Sequence, residues 1–204
     1  FPSSLGQFDL GASSQLILFM FLTGLTGSAA LIQSRRLGVA GRMLSTPTAA
    51  RTVVSGEALG RWAVVMLQGL YIIFATLLLF QVNWGDPLGA AAIMILFAAV
   101  AAGTAMLMGS LFRNDEQAGG VGVFAGLGGA ALGGCMIPRV VFSPTLQCGA
   151  RFTPHAWGPD GFAVDVREAG TIVDILPQLA VLAGFAAVLI TVSAIRLRRA
   201  LTAY

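Results

Sequence analysis

The chain has 204 residues, of which 56 % are hydrophobic and 10 % charged, and its formal net charge is +3. A soluble domain carries about 25 % charged residues, so water cannot be the solvent for most of this surface and lipid must be. The small, dispersed positive charge gives no nucleic-acid footprint, and no G-x-x-x-x-G-K-[ST] stretch occurs, which excludes ATP binding by a P-loop.

The fold class expected is all-α, a polytopic helical membrane protein forming one domain over residues 1–204. Phe1 stands where a Met would begin a chain, and no basic region precedes a short apolar core, so a signal peptide is not expected and the sequence reads as a fragment. The first apolar run predicts a span over about 15–33. A polar interval, 34–61, follows. It holds Arg35, Arg36, Arg42, Arg51 and Arg61 against Glu57 alone. The second span is expected over 62–82, with Trp62 and Tyr71 near interfaces. Asn83-Trp84-Gly85-Asp86-Pro87 then forms a tight turn. The third span covers 88–112, the fourth 118–137 up to Pro138, and the fifth 175–195, closed by Arg196, Arg198 and Arg199.

Five spans make the loops alternate between two sides. Arg35, Arg36, Arg42, Arg51, Arg61, Arg113, Arg196, Arg198 and Arg199 fall on one side, and only Arg139, Arg151 and Arg167 on the other. The arginine-rich side is cytoplasmic by the positive-inside rule. The C-terminus is therefore expected inside and residue 1 outside, in the cell membrane. No span carries a mid-membrane Asp, Glu, Lys, Arg or His. Such residues mark proton relays and ion paths, so an ion-coupled carrier and an intramembrane enzyme are both disfavoured. Energy for transport must come from outside this chain.

The fourth run is glycine-rich, and Gly122–Gly126 and Gly129–Gly133 are both G-x-x-x-G. Small residues let helices approach closely in lipid. These four are expected to pack helices, either within the bundle or at a subunit interface. The segment 139–174 contains Ser143-Pro144 and Thr153-Pro154, each reading as a capped helix start. With Leu146, Phe152, Trp157 and Phe162 it predicts two short interfacial helices on the outer side, a solvated surface loop being the plainer alternative. His155, the sole histidine, is expected to be structural or interfacial. Asp160 and Asp165 are expected in a solvated loop. Cys135 and Cys148 are expected as two small buried thiols, and no Cys/His spacing fits a metal site.

With these elements placed, the chain resembles the membrane subunit of ABC-2-type exporters. The likeness lies in Phe19–Ile32 (F-x-F-L-T-G-L-T-G-S-A-A-L-I), Arg42-Met43-Leu44-Ser45-Thr46-Pro47, Gly56-Glu57-Ala58-Leu59-Gly60-Arg61 and Asp115-Glu116-Gln117-Ala118. It continues in Gly133-Gly134-Cys135-Met136-Ile137-Pro138 with Thr153-Pro154-His155-Ala156-Trp157 and Asp160-Gly161-Phe162. The resemblance implies six spans, the first missing here, and a short coupling helix within about 34–47 that docks on a separate ATP-binding subunit. Arg35, Arg36, Gly38, Arg42, Met43, Leu44 and Pro47 would carry that contact. It implies two permease halves, identical or not, and two ATPases, so no cofactor on this chain. Short outer helices would cap the route, with Pro138, Pro144, Pro154 and Trp157 at the outer gate. The implied function is ATP-driven export of an amphipathic drug, antibiotic or lipid. The rival reading is a non-transporting scaffold that dimerises through the glycine-rich span. Two departures stand out: the family usually carries acids where Gln33-Ser34-Arg35-Arg36 stand, and Gly158-Pro159 occupies a place where it keeps helix formers. Pro159 would kink or end the second outer helix.

Overall fold

A computed structural model describes residues 7–137, 141–167 and 172–202. Within them the chain is helical, without strands, in the order α1 (Gln7–Arg36), α2 (Val39–Leu44), α3 (Ala50–Phe80), α4 (Pro87–Leu111), α5 (Asp115–Gly133), α6 (Pro144–Ala150), α7 (Pro154–Arg167) and α8 (Leu176–Thr202). The all-α class read from composition holds.

Helix boundaries follow local chemistry. Pro87 opens α4 behind Asp86, whose carboxylate accepts from the Gly89 N–H, and Asn114 accepts from the Glu116 N–H at the start of α5. Pro144 and Pro154 open α6 and α7 where expected, but not by the expected cap. Ser143 makes no capping bond, and the Thr153 hydroxyl donates back to the Ala150 carbonyl. The interval 34–61 is less of a loop than its polarity implied. α1 runs on to Arg36, and α3 begins at Ala50. Ala50–Arg61 is helical despite Gly56 and Gly60, which are weak helix formers, with Glu57 and Arg61 paired one turn apart.

α1, α3, α4 and α8 are long and apolar enough to cross a membrane. Five such helices were expected, and α5 falls short by composition. Its glycines dilute hydropathy, and Asp115 and Glu116 occupy its first turn. Its 19 residues reach about 28 Å at 1.5 Å each, close to the roughly 30 Å of a hydrocarbon core. It also lies along α1, from Asp115 beside Gln33 to Gly126 beside Leu22.

α4 is the central helix. Ile93, Met94, Phe97, Ala98 and Ala101 are all at most 2 % exposed, and they meet Leu16, Ile17 and Met20 of α1 and Leu182 of α8 in one core. Close approach is bought with small residues: a Cβ on Gly24 would meet that of Ala101 at 2.9 Å, and one on Gly103 would meet the Leu189 Cβ at 2.9 Å. A second cluster of Leu31, Val54, Met106 and Leu197 gathers the ends of α1, α4 and α8 with the start of α3. The polar interval, the α4–α5 corner and the end of α8 therefore share one end of the bundle, the arginine-rich end. α3 is the peripheral helix. Tyr71, Phe74, Leu78, Leu79 and Phe80 are exposed on it, an apolar surface suited to lipid and not to water.

Candidate functional site: the arginine-rich elbow and the plugged opposite end

At the arginine-rich end, α1 breaks at Leu37-Gly38. Gly38 has φ +67°, a left-handed conformation that glycine adopts without strain, and it turns the chain into α2. α2 lies at the edge of the bundle against the ends of α1 and α3, with Leu37 before it 71 % and Met43 50 % exposed, Arg42 and Pro47 exposed, and Leu44 half-buried.

The stem of this elbow is fastened to its own subunit. Arg35 donates to the Gly109 carbonyl at 2.8 Å and to the Ser110 carbonyl at 3.4 Å. These belong to the last turn of α4, whose carbonyls lack helical partners and carry the negative end of the helix dipole. Gln33 donates to Asp115, and Arg36 lies 3.5 Å from the same carboxylate. The Gln33 hydrogen bond leads in holding the Asp115 carboxyl below its ordinary range, with Arg36 adding to it. Arg35 and Arg36 face the α4–α5 corner, while Gly38, Arg42, Met43, Leu44 and Pro47 make up the elbow itself.

The other end is closed by α7. Its first turn sits deepest: the His155 ring lies 4.3 Å from Phe21 and 5.7 Å from Phe97, both edge-on, and is 2 % exposed. Its last turns rise to the α3–α4 turn, where Phe162 stacks edge-on against Trp84 at 5.6 Å and Asp165 packs against Gly85 and Gly89. Gly85 must be glycine twice over, since its φ is +73° and a Cβ would fall 2.6 Å from Asp165 Oδ2. The four glycines of the two G-x-x-x-G pairs in α5 face inward. A Cβ on Gly126 would meet Leu22 at 2.9 Å, and one on Gly122 would touch Leu25 at 3.7 Å. One on Gly129 would meet the His155 ring at 3.0 Å, and one on Gly133 would overlap the His155 Cβ at 2.4 Å. Both G-x-x-x-G pairs thus pack within the subunit, against α1 and α7. Pro144 is exposed, Pro154 half-buried, and Trp157 donates from Nε1 to the Arg151 carbonyl at 2.8 Å. Pro138 lies outside the described residues.

Three sequence expectations change here, and one is borne out. Asp165 is 1 % exposed, not solvated. Helix α7 delivers it under the α3–α4 turn, a placement no local pattern announces. Cys148 is exposed, and only Cys135 of the two thiols is buried. Of the two alternatives for His155, the buried structural one holds. Finally, Pro159 does not end α7, which runs to Arg167. Proline deprives the His155 carbonyl of its i+4 donor, and the Cys135 thiol stands 3.6 Å away to donate instead. Cys135→Ala is therefore expected to destabilise the protein by about 1 kcal/mol, the value of one hydrogen bond. Cys135→Ser, which keeps a donor, should lose less in thermal unfolding.

Neither carboxylate oxygen of Asp165 makes a well-formed hydrogen bond among the described residues. Burial pushes its carboxyl above the ordinary value of 3.8, the Asp86 backbone N–H pulls it down, and the Asp86 charge pushes it up again. The native state thus holds this proton more tightly than the unfolded chain does. Its contribution to stability is full below pH 3.8 and is lost as pH rises through the raised value. Asp165→Asn removes the buried charge. It should unfold at higher temperature than the parent at pH 7, by about 1–3 kcal/mol in stability, and show no advantage at pH 3.

The bundle defines a multi-pass helical membrane protein. Residues 3–195 match the family described as ABC-2 family transporter protein, and the chain belongs to that family. It is similar to the linearmycin resistance permease protein LnrN of Bacillus subtilis (strain 168), with 24 % identity over 172 residues, covering 84 % of this chain and 45 % of that protein. The chain thus spans under half the length of this curated relative. No solved structure matches it.

Proposed function

We propose that this chain is the permease half of an ATP-driven exporter in the cell membrane, with its arginine-rich end in the cytoplasm. The elbow carries the reading. It leaves Leu37 bare, while Arg35 ties its stem to the end of α4. A bare apolar knob on a braced stem suits a partner that pushes, and ATP bound by a separate subunit supplies the push. A second permease half completes the passage. The cargo is an amphiphile, in keeping with the resistance permease to which the chain is similar.

The test is to express the full-length subunit with candidate ATPase subunits. Leu37→Asp places a charge on the knob without touching the bundle core. Co-purification and substrate-stimulated ATPase activity should both fall about tenfold or more, as for loss of an apolar anchor at an interface. Intact complex and intact stimulation would sink the coupling role. Labelling of a cysteine placed at Arg42 by an impermeant reagent from outside intact cells would sink the orientation.

A further inference from the structure

Pro159 divides α7 into two halves that different parts of the bundle hold. Proline has no N–H, so the helix lacks one backbone bond at this point, and an interior proline is where helices bend. The half before it is wedged in place. His155 lies against Gly133, Ala156 is fully buried, and a Cβ on Gly158 would meet Ile17 at 2.6 Å. The half after it rests on the α3–α4 turn and the first turn of α4. Phe162 packs edge-on against Trp84, and the Asp165 carboxylate lies in a cradle that a Cβ on Gly85 or Gly89 would fill.

That cradle suits a neutral acid and not an anion. Both carboxylate oxygens of Asp165 are sealed from solvent. The indole Nε1–H of Trp84, one residue before Gly85, is sealed without a partner as well, so it does not reach the acid. Asp86, on the α3–α4 turn, is the charged group that acts on Asp165, and its charge is of the same sign. The face of α4 is glycine here, and α8 meets this half of α7 at Gly161 through Gln178, which is neutral. On α7 itself Asp160 lies more than a turn earlier. An ionised Asp165 is therefore cut off from water and repelled by Asp86, with only the Asp86 backbone N–H in its favour. A proton on the carboxyl removes both penalties.

We propose that the half of α7 after Pro159 is a proton-operated latch, which lies closed on the α3–α4 turn while Asp165 holds its proton and lifts about Pro159 when that proton passes to water. The carboxylate left behind is hydrated only in the lifted position. Closure strengthens as the surrounding pH falls and weakens as pH rises through the raised value of this carboxyl. The inference deepens the exporter reading and rests on it only in setting the latch on the outer side, across the route of the cargo. The movement itself does not depend on that reading.

The experiment uses the full-length subunit in nanodiscs, with Val166→Cys as the reporter on the second half of α7, where Val166 is 7 % exposed. Cys148, exposed on α6, is the reference thiol in the same molecule. The ratio of maleimide labelling at the two removes the common effect of pH on thiolate formation. Cys135, buried beside the His155 carbonyl, reports on the first half. The ratio of reporter to Cys148 is expected to rise about tenfold from about pH 4.5 to about pH 7.5 and then level, while Cys135 stays protected. Asp165→Asn should hold the ratio low at every pH. Asp86→Asn keeps a capping side chain on α4 but removes the like charge, so the rise should move to lower pH. Ala163→Cys, at a half-buried position, is a second reporter that should give the same profile if Val166→Cys does not fold. A ratio that stays flat with pH, or one that changes equally in Asp165→Asn, overturns the proposal. Cys135 reacting in step with the reporter overturns the hinge, since α7 then leaves as a whole. A ratio that follows pH as expected, with equal transport by parent and Asp165→Asn in the complex with the ATPase, supports the latch and defeats its place in export separately.

Discussion

Gly133→Leu is expected to unseat α7. The nearest atoms to a new Cβ are the His155 Cβ at 2.4 Å, the His155 carbonyl carbon at 2.7 Å and the Ala156 nitrogen at 2.9 Å. Two of these are backbone and cannot swing aside. Overpacking a tight contact costs about 1–3 kcal/mol, and more where backbone must move, so the upper end, about 3 kcal/mol, is expected. Displacing α7 also uncovers Cys135, which is 5 % exposed. The parent should react with maleimide at the exposed Cys148 alone, and Gly133→Leu at both thiols, read by peptide mass. Gly128→Leu is the control, since a Cβ there meets nothing within 4 Å. Equal reactivity and equal melting in the two variants would show that α7 does not rest on the α5 glycines.

Arg35→Ala should damage coupling more than any other change among the arginines of the elbow. It deletes the donor that satisfies the Gly109 and Ser110 carbonyls at the end of α4. A hydrogen bond to a charged donor is worth about 1.5–3 kcal/mol, and that much stability should go. The elbow stem then loses its brace, so substrate-stimulated ATPase activity in the full-length complex should fall while basal ATPase activity stays. Arg35→Lys should recover part of the stability, since an ammonium reaches one carbonyl but cannot fork across two. Arg36→Ala should do little in comparison, because its side chain is 64 % exposed and its pair with Asp115 is a surface one. Loss of coupling in Arg36→Ala with none in Arg35→Ala would reverse this assignment.

Several features are written locally and were readable as such. The apolar runs of α1, α3, α4 and α8 state their own solvent, because about 20 helical residues without charge are stable only across a bilayer. Pro87, Pro144 and Pro154 state where helices begin, because proline tolerates the first turn and no later one without loss. Even the weakness of α5 as a span is in its residues: eight glycines between Gly119 and Gly134 give little to lipid. The proposed coupling segment was placed through resemblance, and its short helix, α2, could not have been set by propensity in six residues.

What the chain could not announce is which polar groups meet across distance. Arg35 reads as an outward charge until α4 brings its last carbonyls 74 positions away in sequence to within 2.8 Å. Asp165 reads as a solvated loop acid until α7 carries it under Gly85 and Gly89. The orphaned His155 carbonyl and the Cys135 thiol are 20 residues apart, and nothing near either names the other. Solvent preference and helix ends are set by residues within a turn or two of each other, so the sequence alone determined them. The brace, the plug and the latch depend on which helix faces lie against one another, and only the folded bundle decides that.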